Sequence, residues 1–213
     1  MEFNQIKKKI VYHPVLLAGI ALIAGAMLVL ADAGTRDEIE KRKAEDLQAS
    51  LKQVIIAKEH DNNLLNDTII LHEPLEHTDP ETGVTFYRAR LQGKVVAAAF
   101  QVIGMGYSGP IYIMMSVRSN GSIMGVRVIS HAETPGLGDK IEVAKGDWIE
   151  RFQALSLSNR TAKQWAVKKD GGDFDQFSGA TITPRAVVRA VHQGLLYFKT
   201  HRSKILELEA KHG

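Results

Sequence analysis

The sequence predicts an α+β fold: one N-terminal transmembrane helix followed by a single domain of β-hairpins forming a sheet covered by helices. Three observations carry that expectation. Val15 to Ala31 is a run of seventeen residues without a charged or strongly polar side chain. Strand-like segments follow between Thr68 and Ile129, joined in pairs by turn-forming residues. Thr183-Pro184 then opens a long segment with apolar residues at helical spacing. The length of 213 residues suits one domain with an appendage, and 45% hydrophobic with 24% charged residues is ordinary globular composition. Neither an internal repeat nor a low-complexity segment is present.

As a helix the apolar run is about 25 Å long, at the short end of what crosses a hydrocarbon core of about 30 Å. Lys7, Lys8 and Lys9 precede it, and Asp32, Arg36, Asp37 and Glu38 follow. The positive-inside rule then sets residues 1–13 in the cytoplasm, 14–33 in the lipid bilayer and 34–213 across the membrane. A buried core helix would rarely be so uniformly apolar. A cleavable signal peptide is the other reading, because Ala31-Asp32-Ala33 has the small-x-small form of a cleavage site. The run is longer than the usual apolar region of such peptides, about 7–15 residues, which favours a retained anchor. Charge agrees with this division. Of the formal net charge of +3, residues 1–13 hold +2. No basic block comes later, so nucleic acid is not an expected partner.

Beyond the membrane, Thr35 and Glu38 have capping-box spacing, and Leu47, Leu51, Val54 and Ile55 form a helical stripe that would pack on the domain. Thr68 to Leu71 is a short β-branched strand. Val84 to Leu91 and Val95 to Ile103 flank Gln92-Gly93-Lys94 as a hairpin. Ile111 to Val117 and Ile123 to Ile129 flank a loop containing Asn120-Gly121, the preferred pair for a type I′ turn. Ile141 to Leu155 reads as a helix with Trp148 and Phe152 at i, i+4. The last helix starts near Thr183, with Thr183 as N-cap and Pro184 at N1, and runs past Ile205.

The chemistry concentrates in three glycine-rich stretches. Cysteine is absent, which excludes disulfides, thiolate metal sites, a cysteine nucleophile and cysteine-held iron–sulfur clusters. Any electron carrier must be an organic cofactor or a histidine-ligated metal. Gly104 to Pro110 leads into a strand rather than a helix and so fails as a dinucleotide loop; it is either a plain turn or a loop packing Tyr107 on a ligand. His131 to Asp139 could turn N–H groups at Gly136 and Gly138 toward an anion. His131 and Glu133 have no third partner there, so no metal site is expected. The third stretch, Asp170 to Pro184, sets Ser178-Gly-Ala-Thr181 on the loop entering a helix N-terminus. Unpaired N–H groups and the helix dipole favour phosphate there. Thr181 could contact a phosphate or carry one covalently, or Ser178 and Thr181 could merely cap the helix.

Asp175-Gln-Phe-Ser-Gly-Ala-Thr181 resembles the D-x-x-[ST]-G-A-T motif that flavin transferases use to attach FMN to the final threonine. The membrane helix, the Gly106 to Ile111 stretch and the His131 to Gly138 loop extend the likeness over essentially the whole chain. It resembles the G subunit of the Rnf (Rsx) electron-transport complex, of which the C subunit of the sodium-pumping NADH:quinone reductase is a longer relative. The resemblance implies a covalent FMN, joined by a phosphoester to Thr181, in a membrane complex coupling electron transfer between NADH and ferredoxin to ion translocation. Ser178, Gly179, Ala180 and Thr183 would shape the phosphate end. Tyr107, Glu133, Thr134, Leu137 and Gly138 would line the ribityl chain or ring. Asp175 would serve recognition by a periplasmic flavin transferase. The implied partners are the other membrane subunits of the complex, at the bacterial inner membrane. Two rival readings are a membrane-tethered binding or assembly module without cofactor, and a hydrolase using His131 and Glu133 that lacks a convincing nucleophile.

Overall fold

The computed structural model describes residues 2–206, and the chain divides into two compact units, residues 1–47 and 48–213. Helix α1, Glu2–Val54, contains the apolar run. Within it Pro14–Arg36, 23 residues, is long and apolar enough to cross a bilayer, and Val15, Leu17, Leu22 and Leu28 are exposed. Exposure of aliphatic side chains all round is what a lipid-facing helix requires. The expected cap at Thr35 does not form. The helix continues through it, and the Thr35 hydroxyl donates to the Ala31 carbonyl one turn back, at 2.8 Å. Glu38 pairs instead with Arg42 at 2.9 Å, an i, i+4 contact on the helix surface. Continuity has a simple cause: after Pro14 no proline interrupts the chain before Val54.

The second unit is built on a five-stranded antiparallel sheet in sequence order: β1 Thr68–Leu71, β2 Val84–Leu91, β3 Lys94–Met105, β4 Pro110–Arg118 and β5 Ile123–Ser130. Side chains of one strand alternate between faces. Phe86, Phe100, Val102, Ile113 and Met115 therefore fall on one face, where helix α2, Ile182–Leu206, lays Val187, Val191, Leu195 and Phe198 over them. The chain after Leu206 lies outside the described residues. On the other face Leu51, Val54 and Ile55 are buried, and the Ser116 hydroxyl donates to the Val54 carbonyl.

Two hairpins differ from expectation in their turns. Gln92 and Gly93 both have positive φ, 52° and 76°, and link Leu91 to its register partner Lys94, so the two-residue primed turn lies here. At the other hairpin only Gly121 has positive φ, 88°. Its N–H donates to the Arg118 carbonyl, and Asn120 uses its side chain to accept from Ser122, so no type I′ turn forms at Asn120-Gly121. The helix expected over Ile141 to Leu155 is also absent. Short 3-10 turns at Asp139–Ile141 and Trp148–Phe152 replace it. Gly146-Asp147 interrupts the segment, and the backbone at Ala154 and Leu155 leaves to bond Ile123 on β5. The apolar residues still serve the core, since Ile141, Trp148, Ile149 and Phe152 are all buried.

Candidate functional site

The site is assembled around the first turn of α2. Gly104 on β3 lets that turn come close to the sheet, since a Cβ there would lie 2.8 Å from the Ala186 carbonyl oxygen. The helix begins at Ile182, and its first internal bond runs from the Arg185 N–H to the Thr181 carbonyl, at 3.4 Å. Thr181 itself therefore stands in the N-cap position, with Thr183 at the second helical residue and Pro184 at the third. Thr183 does not cap the helix as its sequence position suggested. Its hydroxyl donates to the carboxylate of Glu133, fifty residues away, and is buried with it.

Each glycine-rich stretch contributes a wall. Gly106 to Gly109 closes the β3–β4 hairpin, with the Gly106 N–H on the Gly109 carbonyl at 2.8 Å and the Ser108 N–H on Glu133 Oε1 at 2.9 Å. Tyr107 projects from it, largely exposed. In the second stretch Pro135 and Gly136 (φ 79°) take the two central positions of a turn of type II character. The N–H groups of Leu137 and Gly138 both donate to the Thr134 carbonyl, at 3.1 Å. Of the two amides expected to face an anion, that of Gly138 is thus spent within the turn. In the third, the Ala180 N–H donates to the Phe177 carbonyl at 3.1 Å, and Gly179 (φ 79°) supplies the left-handed corner of the turn.

These walls enclose a cavity of about 460 Å³ lined by Tyr107, Glu133, Thr134, Leu137, Gly138, Gly179, Ala180, Thr181, Ile182 and Thr183. That volume falls in the range of small-molecule sites, roughly 300–1,000 Å³. Of the residues expected from the sequence, only Ser178 and Asp175 are not part of this lining. Ser178 is exposed on the adjoining turn. Ile182 was missed; an apolar residue directly after the Gly-Ala-Thr sequence was the available signal, and the structure leaves it exposed.

Asp175 lies in a different environment. Its carboxylate is held by Lys168 at 2.5 Å and by Arg151, and these two hydrogen bonds keep its pKa below the usual carboxylate value. Its carbonyl accepts from the Trp148 indole N–H at 2.8 Å. Phe174 and Phe177 on either side pack into an aromatic cluster with Trp148 and Phe152, which anchors the loop. His131 is also engaged: its Nδ1 accepts the Glu133 N–H at 3.0 Å, which leaves Nε2 to donate to Glu142 at 2.8 Å. Among the described residues, no three histidine, aspartate or glutamate side chains cluster as metal ligands would.

A second cavity, about 480 Å³, shares Ile182 with the first and lies along Arg185, Ala186 and Arg189 of α2. Its walls include Trp165 and His192, whose rings stack 5.3 Å apart. Arg185 is paired with Asp170, and Arg189 with Glu76 at 2.5 Å.

Known proteins resemble this chain in sequence and in fold. Residues 106–196 match the FMN-binding domain family. A protein of Cereibacter sphaeroides, named as the G subunit of an ion-translocating oxidoreductase complex, is 49% identical over 191 residues, covering 90% of this chain and 85% of the relative. The protein of the same name from Shewanella oneidensis is 42% identical over 202 residues, covering 92% and 95%. Among solved structures, the C subunit of the Na⁺-translocating NADH-quinone reductase from Parabacteroides distasonis aligns with a TM-score of 0.52 at 18% identity. It covers 80% of this chain and 96% of that one, a likeness of fold.

Proposed function

The chain belongs to the family of G subunits of ion-translocating oxidoreductase complexes, and from that premise we propose that it transfers electrons through an FMN held as a phosphoester on Thr181. Its FMN-binding domain and its apolar helix make it a membrane-associated flavoprotein of an oxidoreductase complex. In this reading the N-terminus is cytoplasmic, residues 34–213 are periplasmic, and the other membrane subunits of an Rnf-type complex are its partners. Electron flow between NADH and ferredoxin is coupled there to ion movement, with no turnover of a free substrate by this subunit.

One observation carries the assignment of the site: Thr181, at the N-cap of α2, opens onto a cavity of small-molecule size bordered by Gly179 and Ala180, which crowd it little. The first N–H groups of a helix have no intrahelical acceptor, so the start of α2 offers donors to a phosphate on Thr181. Ala180 and Ile182 flank that attachment point. Tyr107 and Leu137 form the exposed rim, suited to cover the faces of a flat ring. Bound FMN supplies reversible uptake of one or two electrons. Asp175, outside the cavity and paired with two cations, is assigned to recognition by the flavin transferase, as a surface feature beside the acceptor.

The test is the intact mass of the full chain after co-expression with a flavin transferase. An increase equal to FMN less one water, lost in the Thr181→Ala chain, is the expected result. An unchanged mass, or flavin fluorescence on a denaturing gel that survives Thr181→Ala, overturns the assignment. An unchanged mass supports an assembly module without cofactor.

A further inference from the structure

The charge of the cavity wall is unusual for a site meant to hold a phosphorylated, electron-accepting group. Among the described residues lining it, Glu133 is the one charged side chain, and neither lysine, arginine nor histidine lines it. Glu133 is 5% exposed. Both of its oxygens act as acceptors, Oε1 from the Ser108 N–H at 2.9 Å and Oε2 from the Thr183 hydroxyl. The backbone closes over it on two sides. A Cβ at Gly106 would lie 2.5 Å from Oε1, and one at Gly138 would lie 2.9 Å from Oε2. The carboxylate is thus held in place by the same three loops that form the cavity.

Three cations of the neighbouring loops are engaged elsewhere: Arg151 and Lys168 pair with Asp175, and Arg185 pairs with Asp170. No ion pair to Glu133 occurs among the described residues. Its charge is met by dipoles only: one amide, one hydroxyl and the positive end of α2. A fixed negative charge compensated by dipoles still projects a field, and burial lowers the screening that solvent would supply.

Resting on the reading that FMN occupies this cavity, we propose that Glu133 sets the reduction potential of the flavin by opposing negative charge on its ring. Uptake of two electrons and one proton leaves the ring system one unit more negative than before. A nearby buried carboxylate destabilises that product relative to the neutral oxidised ring, so the potential is lowered. Thr183 acts in the opposite sense. By donating to Oε2 it draws off part of the carboxylate's field, and this makes it a positioning residue for the same effect.

Potentiometric titration of the flavinylated full-length chain in detergent tests this, with dithionite as reductant and mediator dyes at fixed pH. Glu133→Gln keeps the side-chain size and an acceptor oxygen while removing the charge, and its midpoint is expected to move to a more positive potential. Glu133→Asp, which keeps the charge, is expected to stay on the wild-type side of the glutamine variant. Thr183→Val is expected to move the midpoint the other way. A purely structural role for Glu133 would not give shifts of opposite sign. An unchanged or more negative midpoint in Glu133→Gln overturns the proposal. Should that variant fail to fold, an unchanged or more positive midpoint in Thr183→Val does so. Flavin missing from the wild-type chain by mass overturns the parent reading instead, so the two failures are distinguishable.

Discussion

The two cavities that meet at Ile182 are nearly equal in volume, about 460 and 480 Å³, and opposite in their electrostatics. The one at Thr181 carries a single buried carboxylate answered by dipoles. The other is edged by arginines, each matched to a carboxylate, over a stacked Trp165–His192 pair. A paired, half-exposed border is inexpensive to maintain and contributes little to stability. A lone buried carboxylate costs free energy unless its hydrogen bonds are complete. The fold nevertheless builds the costly arrangement on the side of the Gly-Ala-Thr sequence, from three separate loops. That asymmetry distinguishes the two cavities, although their size does not.

The contrast can be broken from either side. Trp165→Ala removes a nearly buried ring that stacks on His192 and packs on Phe174, and should cost about 3–5 kcal/mol of stability. Flavin incorporation per folded chain, read by mass, should fall less than in Gly104→Ala, because Trp165 touches the Asp175 loop only through Phe174 and does not line the Thr181 cavity. Gly104→Ala acts on both sides, since its methyl would meet the Ala186 carbonyl, a backbone atom that cannot rotate away. A loss of about 1–3 kcal/mol in denaturant unfolding is expected, together with reduced flavin incorporation as the start of α2 is displaced. Acid separates the two sides further. Burial lowers the His192 pKa from 6.5, so its neutral ring is the folded form. Stability is full above that unfolded value and falls as pH drops through the folded one. Thermal unfolding measured from neutral to mildly acidic pH should show that decline, and His192→Gln should reduce it. The smallest effect belongs to Arg189→Ala: its pair with Glu76 is solvent-exposed, and the melting change should stay within about 1 kcal/mol.

Much of the sheet was legible because period-two alternation and paired glycine turns are local signals. All five strands lie where the residues indicated, within a few positions of their ends. The threonine motif and the two other glycine loops were likewise visible as segments. Local pattern could not supply how distant segments meet. Thr183 looked like a cap because hydroxyl residues before proline often are, yet its hydroxyl is taken by a carboxylate fifty residues away. Ile141 to Leu155 has the apolar content of a helix, but tertiary burial of Trp148 and Phe152 and pairing at Ile123 are satisfied by 3-10 turns instead. Thr35 shows the converse case. A good capping sequence inside a strong helix is simply overrun, because the residues before it are already helical.

The sheet is a meander in which each strand pairs with its neighbour in sequence, whereas the Thr181 site needs α2, the last described element. During synthesis the five strands leave the ribosome in pairing order and can associate before Thr183 exists to meet Glu133. An incomplete chain therefore has a sheet but no acceptor geometry. Under the proposed reading, a flavin transferase that requires this geometry would act only on chains in which α2 has joined the sheet, so the order of assembly would itself withhold the cofactor from defective chains.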